Sequence, residues 1–139
     1  MEFMLIGCCA VYSIVVLPGY FAVSKLSADL PIPEWASGGA LVAVARTPDE
    51  LSIVCREDVV PCDVISEGGW RCLRVAGVLD FSLIGVLVSI LQPLAQAAVP
   101  VFVVSTFVTD YILVKARDLD RAMSALEDAG LDIRLETQV

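Results

Sequence analysis

The chain has 139 residues, enough for one compact domain or for two small ones that pack as a single body. Its hydrophobic content of 58% lies at the apolar end for a soluble protein, which suits doubly covered sheets or a large dimer interface. Nine basic against seventeen acidic residues give a formal charge of −8, which argues against a nucleic-acid or anionic-membrane partner.

The first uncharged stretch, from Phe3 to Ser24, has the look of a secretory signal's apolar region. Glu2 stands where basic residues would be needed, and no polar mature segment follows a small-residue cleavage site. Pro18-Gly19 instead separates two apolar runs, so residues 10–17 and 20–26 are expected as strands around a turn, with a helix from Gly19 as the alternative. Two further strands, residues 41–46 and 51–55, flank Thr47-Pro48-Asp49-Glu50. Single helical turns are expected near residues 33–36 and 59–64, and residues 66–69 form the expected junction before a strand at 70–76.

Between Asp80 and Asp110 lie 29 residues without a charge, long enough to cross a bilayer, which needs about 20. The periodicity argues otherwise. Leu83, Leu87, Ile90 and Leu94 recur at helical spacing, opposite a stripe of Ser82, Gly85, Ser89, Gln92 and Gln96 that suits close contact with another helix. Pro93 is expected to kink or restart this helix, and Pro100 ends it before a β-branched and aromatic strand over residues 101–107.

Thr109-Asp110 then reads as a turn, residues 111–115 as a strand, and Asp118 as the N-cap of a helix that Gly130 stops. Residues 132–136 alternate like an exposed edge strand. From Trp70 onward the order is therefore βαββαβ, an antiparallel sheet with two helices on one face. The first half repeats the plan with reduced helices: at an offset of sixty residues Val44, Glu50, Leu51 and Val54 fall on Val104, Asp110, Tyr111 and Val114. The expected fold class is α+β, two tandem ferredoxin-like units over residues 1–66 and 67–139.

The succession LPGYFAV, PIPEWA, RTPDELSIVC, GWRCLRVAGVLDFSLIGVL and PLAQAAVPVFVVSTFVTDYILV resembles the small bacterial proteins built from two tandem ACT domains, over nearly the whole chain. Its second half is also similar to the ACT repeats of the eukaryotic cytosolic arginine sensors. The resemblance implies a βαββαβ fold and a regulatory role, many such domains binding a free amino acid at a domain interface. The chain departs from the pattern at Val78 (usually proline), Ile84 (commonly threonine), Ala98 (commonly glycine) and Val108 (commonly aspartate). The last two alter the edges of the implied site, so the ligand's identity does not carry over.

A zwitterionic ligand needs donors for its carboxylate and acceptors for its ammonium group. The connection Gly77, Val78, Leu79, Asp80, Phe81 and Ser82 runs into a helix N-terminus, where unpaired N–H groups favour an anion. Ser105 and Thr106 add hydroxyls across from it, and Asp80 or Asp110 suits an ammonium group. Each also has a purely structural reading: Asp80 as a cap, Asp110 in a turn, and the two hydroxyls as strand residues.

Catalysis and metal binding find little support. The chain lacks histidine, a nucleophile elbow and a phosphate loop; the pairs Gly38-Gly39 and Gly68-Gly69 are isolated, and the acids Asp49-Glu50 and Glu57-Asp58 read as solvated. Cys8, Cys9, Cys55, Cys62 and Cys72 form no Cys-x-x-Cys pair, so neither a zinc site nor a structural disulfide is expected, and a reducing, cytoplasmic setting is the simpler one. The expectation is a non-enzymatic, cofactor-free sensor, homo-oligomeric, binding a free amino acid and neither nucleic acid nor membrane. A ligand-free assembly module and a membrane-associated protein are the alternatives.

Overall fold

The computed structural model describes residues 12–77 and 85–136. Eight strands form one sheet: β1 (Tyr12–Val16), β2 (Phe21–Leu26), β3 (Ala43–Arg46), β4 (Leu51–Arg56), β5 (Ile65–Gly77), β6 (Phe102–Ser105), β7 (Asp110–Lys115) and β8 (Ile133–Leu135). Among the described residues there are two helices, α1 (Val86–Gln96) and α2 (Leu119–Asp128), with 3-10 turns at Glu57–Val59 and Ala116–Asp118. From β5 onward the order is βαββαβ, as expected.

The 13-residue β5 organises everything else. On one side its first part pairs with β2, which carries β4 and then β3, while its second part pairs with β1. On the other side it pairs with β7, which carries β6. The strands β1 and β2 therefore do not form a hairpin around Pro18-Gly19. Both run antiparallel to β5, from Tyr12 opposite Gly77 to Val16 opposite Leu73, and then from Phe21 opposite Trp70 to Lys25 opposite Ile65. Pro18, Gly19 and Tyr20 are a step between two collinear strands, and the alternative of a helix from Gly19 is overturned by β2.

Residues 66–69, expected as a junction, lie inside β5 as a β-bulge. Phe21 faces Trp70 and Val23 faces Glu67, so Gly68 and Gly69 together oppose Ala22, with Gly69 at φ 80°. The bulge reverses which face each residue occupies, and it lets the sheet pass from one half to the other. β1 then sits between β5 and the last strand β8, to which it runs parallel.

Alternation of side chains divides the burial. Ile14, Val16, Leu73, Val75, Ile112 and Val114 meet Ile90, Leu94, Ala122 and Leu126 of the two helices on one face. On the opposite face Val15, Leu17, Phe21, Val54, Trp70, Cys72 and Leu113 form a second cluster closed by Leu41. In the first half Trp35, Ala36, Val59 and Val60 lie on Leu51, Ile53 and Cys55, so two loops take the place of the missing helices.

Several local expectations are corrected. β6 is shorter than residues 101–107, because Thr106 to Thr109 form the turn and leave Phe107 and Val108 exposed. α1 runs through Pro93, so the helix does not restart there. Asp118 occupies the N-cap position of α2 without capping it; its buried carboxylate instead accepts from Arg121 Nη2 at 3.1 Å. The 3-10 turn in the first half begins at Glu57, two residues before the expected turn. Cys55, Cys62 and Cys72 are free thiols.

Candidate functional site

β5 ends at Gly77. Beside it β7 begins at Asp110, one residue beyond the β5 pairing of Arg74 with Tyr111 in the direction of Gly77. The β6–β7 turn thus lies at the same sheet end as Gly77. A buried hydrogen bond fixes this arrangement: Thr109 Oγ1 donates to the Val75 carbonyl at 2.6 Å. Sequence reading assigned Thr109 to a turn and missed its role as the tie between turn and central strand.

Thr106 holds the turn from inside. Its Oγ1 donates to the Thr109 carbonyl at 3.0 Å and accepts from the amides of Val108 and Thr109, each at 3.2 Å, while its own amide donates to Thr109 O at 2.8 Å. Ser105 Oγ donates to Asp110 Oδ1 at 2.6 Å. Ser105 is exposed and Asp110 half-buried, so the pair presents a carboxylate whose other oxygen has no protein partner among the described residues.

Of the nine expected site residues, Ser105 and Asp110 are therefore in contact, Thr106 is engaged in the turn, and Gly77 stands at the same end of the sheet. Val78, Leu79, Asp80, Phe81 and Ser82 lie outside the described residues. Helix α1 starts at Val86 after Gly85 at φ 88°, without a side-chain cap, which leaves its first amides without that partner. Val108 sits at the tip of the turn, whereas Ala98 lies past the other end of α1, a helix length away.

The opposite side of α1 forms a shallow groove with α2, lined by Ser89, Gln92, Gln96, Ala125, Asp128 and Ala129. Of the small and neutral stripe, Ser89, Gln92 and Gln96 line this groove, Gly85 is exposed, and Ser82 lies outside the described residues. Among the described residues no group of three or more metal-ligating side chains occurs, and no helix is long and apolar enough to cross a membrane.

Residues 65–128 match the model of the ACT domain, and a second model, described as an N-terminal domain, matches residues 19–63. The crystal structure of Atu0741 from Agrobacterium tumefaciens is 39% identical, aligning over 92% of this chain and 96% of that one with a TM-score of 0.87. The chain belongs to the same family as Atu0741, and it carries an ACT domain. Two more distant structures share the fold of this chain. The ligand-free regulatory subunit of aspartate kinase from Thermus thermophilus is 14% identical, covering 86% of this chain and 98% of that one at a TM-score of 0.59. VC0802 of Vibrio cholerae, a protein of unknown function, is 16% identical, covering 86% and 91% at a TM-score of 0.67. The ACT-domain match begins with β5 and ends at the last residue of α2, so β1 and β8 both lie outside it.

Proposed function

We propose that this ACT-domain protein is a non-enzymatic regulatory sensor with two tandem ACT-like units, and that its ligand is a free amino acid. The observation that carries this reading is the tie from Thr109 to Val75, which holds Ser105 and Asp110 beside the exit of β5. In this reading the connection through Val78 to Ser82 and the uncapped start of α1 take the ligand's carboxylate. Asp80 or Asp110 takes its ammonium group, with Thr106 as the turn's internal support. The likeness of fold to an aspartate kinase regulatory subunit favours regulation over catalysis. Three free thiols among the described residues fit a reducing compartment.

The test is a thermal-shift screen of the twenty amino acids at millimolar concentration. Ligand at a hundredfold excess over its dissociation constant adds about 2.7 kcal/mol to stability. Asp80→Asn abolishes most of that shift while lowering ligand-free stability only slightly, since asparagine caps a helix about as well as aspartate. If no amino acid raises the melting temperature, a ligand-free assembly module replaces this reading. The observation on that side is the exposure of Phe107 and Val108, 84% and 72%, at the tip of the same turn.

A further inference from the structure

A second cleft, of about 430 Å³, lies at the other end of β1, where the two halves of the sheet meet. Pro18, Gly19, Tyr20 and Phe21 form one wall, the step between the collinear strands. Gly39 and Ala40 form another, and Arg56, Glu57 and Asp58 at the end of β4 a third. The volume falls in the range of small-molecule sites, about 300–1,000 Å³.

The walls are fixed to one another. The Glu57 amide donates to the Tyr20 carbonyl at 3.0 Å, and Glu57 Oε1 accepts from the Gly69 amide in the bulge at 2.8 Å. Arg71 braces the step from behind: its Nη2 donates to the Leu17 carbonyl at 3.2 Å and its guanidinium lies 5.3 Å from the centre of the Tyr20 ring. Two glycines make room for the two charged side chains. A Cβ on Gly39 would stand 2.5 Å from Arg56 Cγ, and one on Gly68 would stand 2.6 Å from Glu57 Oε1. Sequence reading took Gly38-Gly39 and Gly68-Gly69 as isolated pairs. In the fold both lie against the charged side chains of this one cleft, where Glu57 and Asp58 are exposed, as expected.

The charges have a definite arrangement. Asp58 accepts from Arg56 Nε at 2.9 Å and from Nη2 at 2.6 Å, which holds the guanidinium in place and leaves Nη1 without a partner among the described residues. Glu57 retains Oε2 as an unengaged acceptor among the same residues. A fixed donor and a fixed carboxylate thus line one small cleft beside the half-exposed ring of Tyr20. We propose that this cleft is a second ligand site, separate from the one beside Gly77, and that it takes a compact zwitterion, its carboxylate on Arg56 and its ammonium group on Glu57.

The test is amide-resolved NMR titration of the full chain with each of the twenty free amino acids, with ethylamine and acetate as half-ligands. Saturable shifts at the amides of Gly19, Tyr20, Gly39 and Glu57 with at least one amino acid are expected, with neither half-ligand reproducing them. Glu57→Gln keeps an oxygen for the Gly69 amide and removes only the charge, so the fold persists while binding weakens about tenfold or more. Asp80→Asn leaves these shifts unchanged, which separates this site from the one beside Gly77. Absence of shifts with every amino acid, equal shifts from a half-ligand, or unaltered binding in Glu57→Gln would overturn the proposal.

Discussion

Ala98 and Gly130 stand at the same position of two matching helix endings. After α1 the Ala98 amide donates to the Ala95 carbonyl at 3.0 Å and the Val99 amide to Leu94 at 2.9 Å; after α2 Gly130 donates to Glu127 at 2.9 Å and Leu131 to Leu126 at 3.0 Å. This pair of bonds requires a left-handed residue between helix and loop, and φ is 59° at Ala98 and 94° at Gly130. Ala98 is the single non-glycine residue with positive φ among those described. Its ending is reinforced by Arg121, which donates to the carbonyls of Ala97 at 3.0 Å and Ala98 at 3.1 Å and so places a cation over the helix C-terminus.

The strain at Ala98 makes a directional prediction. A left-handed conformation costs a residue with a Cβ about 1–2 kcal/mol, and glycine's extra freedom in the unfolded chain offsets part of the relief. Ala98→Gly is expected to stabilise the protein by about 0.5–1 kcal/mol, and Gly130→Ala to destabilise it by about 1 kcal/mol. Urea unfolding of both variants checks the signs. A loss of stability in Ala98→Gly would mean that the contact of Arg121 with this turn, not backbone strain, dominates.

Thr109→Val tests the tie to Val75. The change is nearly isosteric but removes the hydroxyl, and an incompletely satisfied buried carbonyl costs about 1–3 kcal/mol. The same variant frees the β6–β7 turn, so amide exchange should accelerate at Thr106 and Val108 more than in α2. Uniform acceleration across the protein would show that the bond contributes to global stability without holding the turn.

Much of this architecture is legible in the residues, and the exceptions share a cause. The α2 pattern, the Leu87, Ile90 and Leu94 face of α1, and the alternation in β7 are short-range periodicities that burial enforces, so they survive translation into structure. Collinearity of β1 and β2 depends on pairing with a strand some fifty residues away, which no local signal at Pro18-Gly19 encodes. The bulge at Gly68 and Gly69 is likewise visible only as a break between two registers along β2. At the candidate site, Ser105 and Asp110 were chosen by chemistry, but the residue that positions them, Thr109, acts through a backbone carbonyl 34 residues distant. The left-handed backbone at position 98, where glycine is common in the pattern the chain resembles, follows from the helix ending and from no periodicity.

Cys72 gives a pH prediction. Burial, slightly offset by Arg74, pushes its thiol up to about 12 from 9.0. Below pH 9 both folded and unfolded chains keep the proton, and this contribution to stability is fully present. As pH rises toward 12 the unfolded chain releases its proton while the folded one retains it, so stability falls by up to about 1.4 kcal/mol per unit. Cys72→Ala should therefore be less stable at neutral pH but show a flatter alkaline limb. In the native protein a thiol reagent should modify exposed Cys62 before buried Cys55 or Cys72. Early modification of Cys72 would contradict its burial.

The last prediction concerns β1, which lies in the first half of the chain and the second half of the sheet. A fragment of residues 65–139 keeps both helices and β5 to β8 but loses the strand between β5 and β8, which is the one pairing partner of β8 among the described strands. It also loses Ile14 and Val16, both essentially inaccessible and packed in the helix-side cluster. Removing even one such side chain costs about 2–5 kcal/mol, a large part of a small domain's stability. The fragment is expected to lack a cooperative thermal transition, and a peptide of residues 12–26 added in trans is expected to restore one, because it can refill the slot along β5. Near-ultraviolet circular dichroism with increasing peptide measures this directly. A fragment that melts cooperatively alone would show that the second half is an independent domain and that β1 only decorates it.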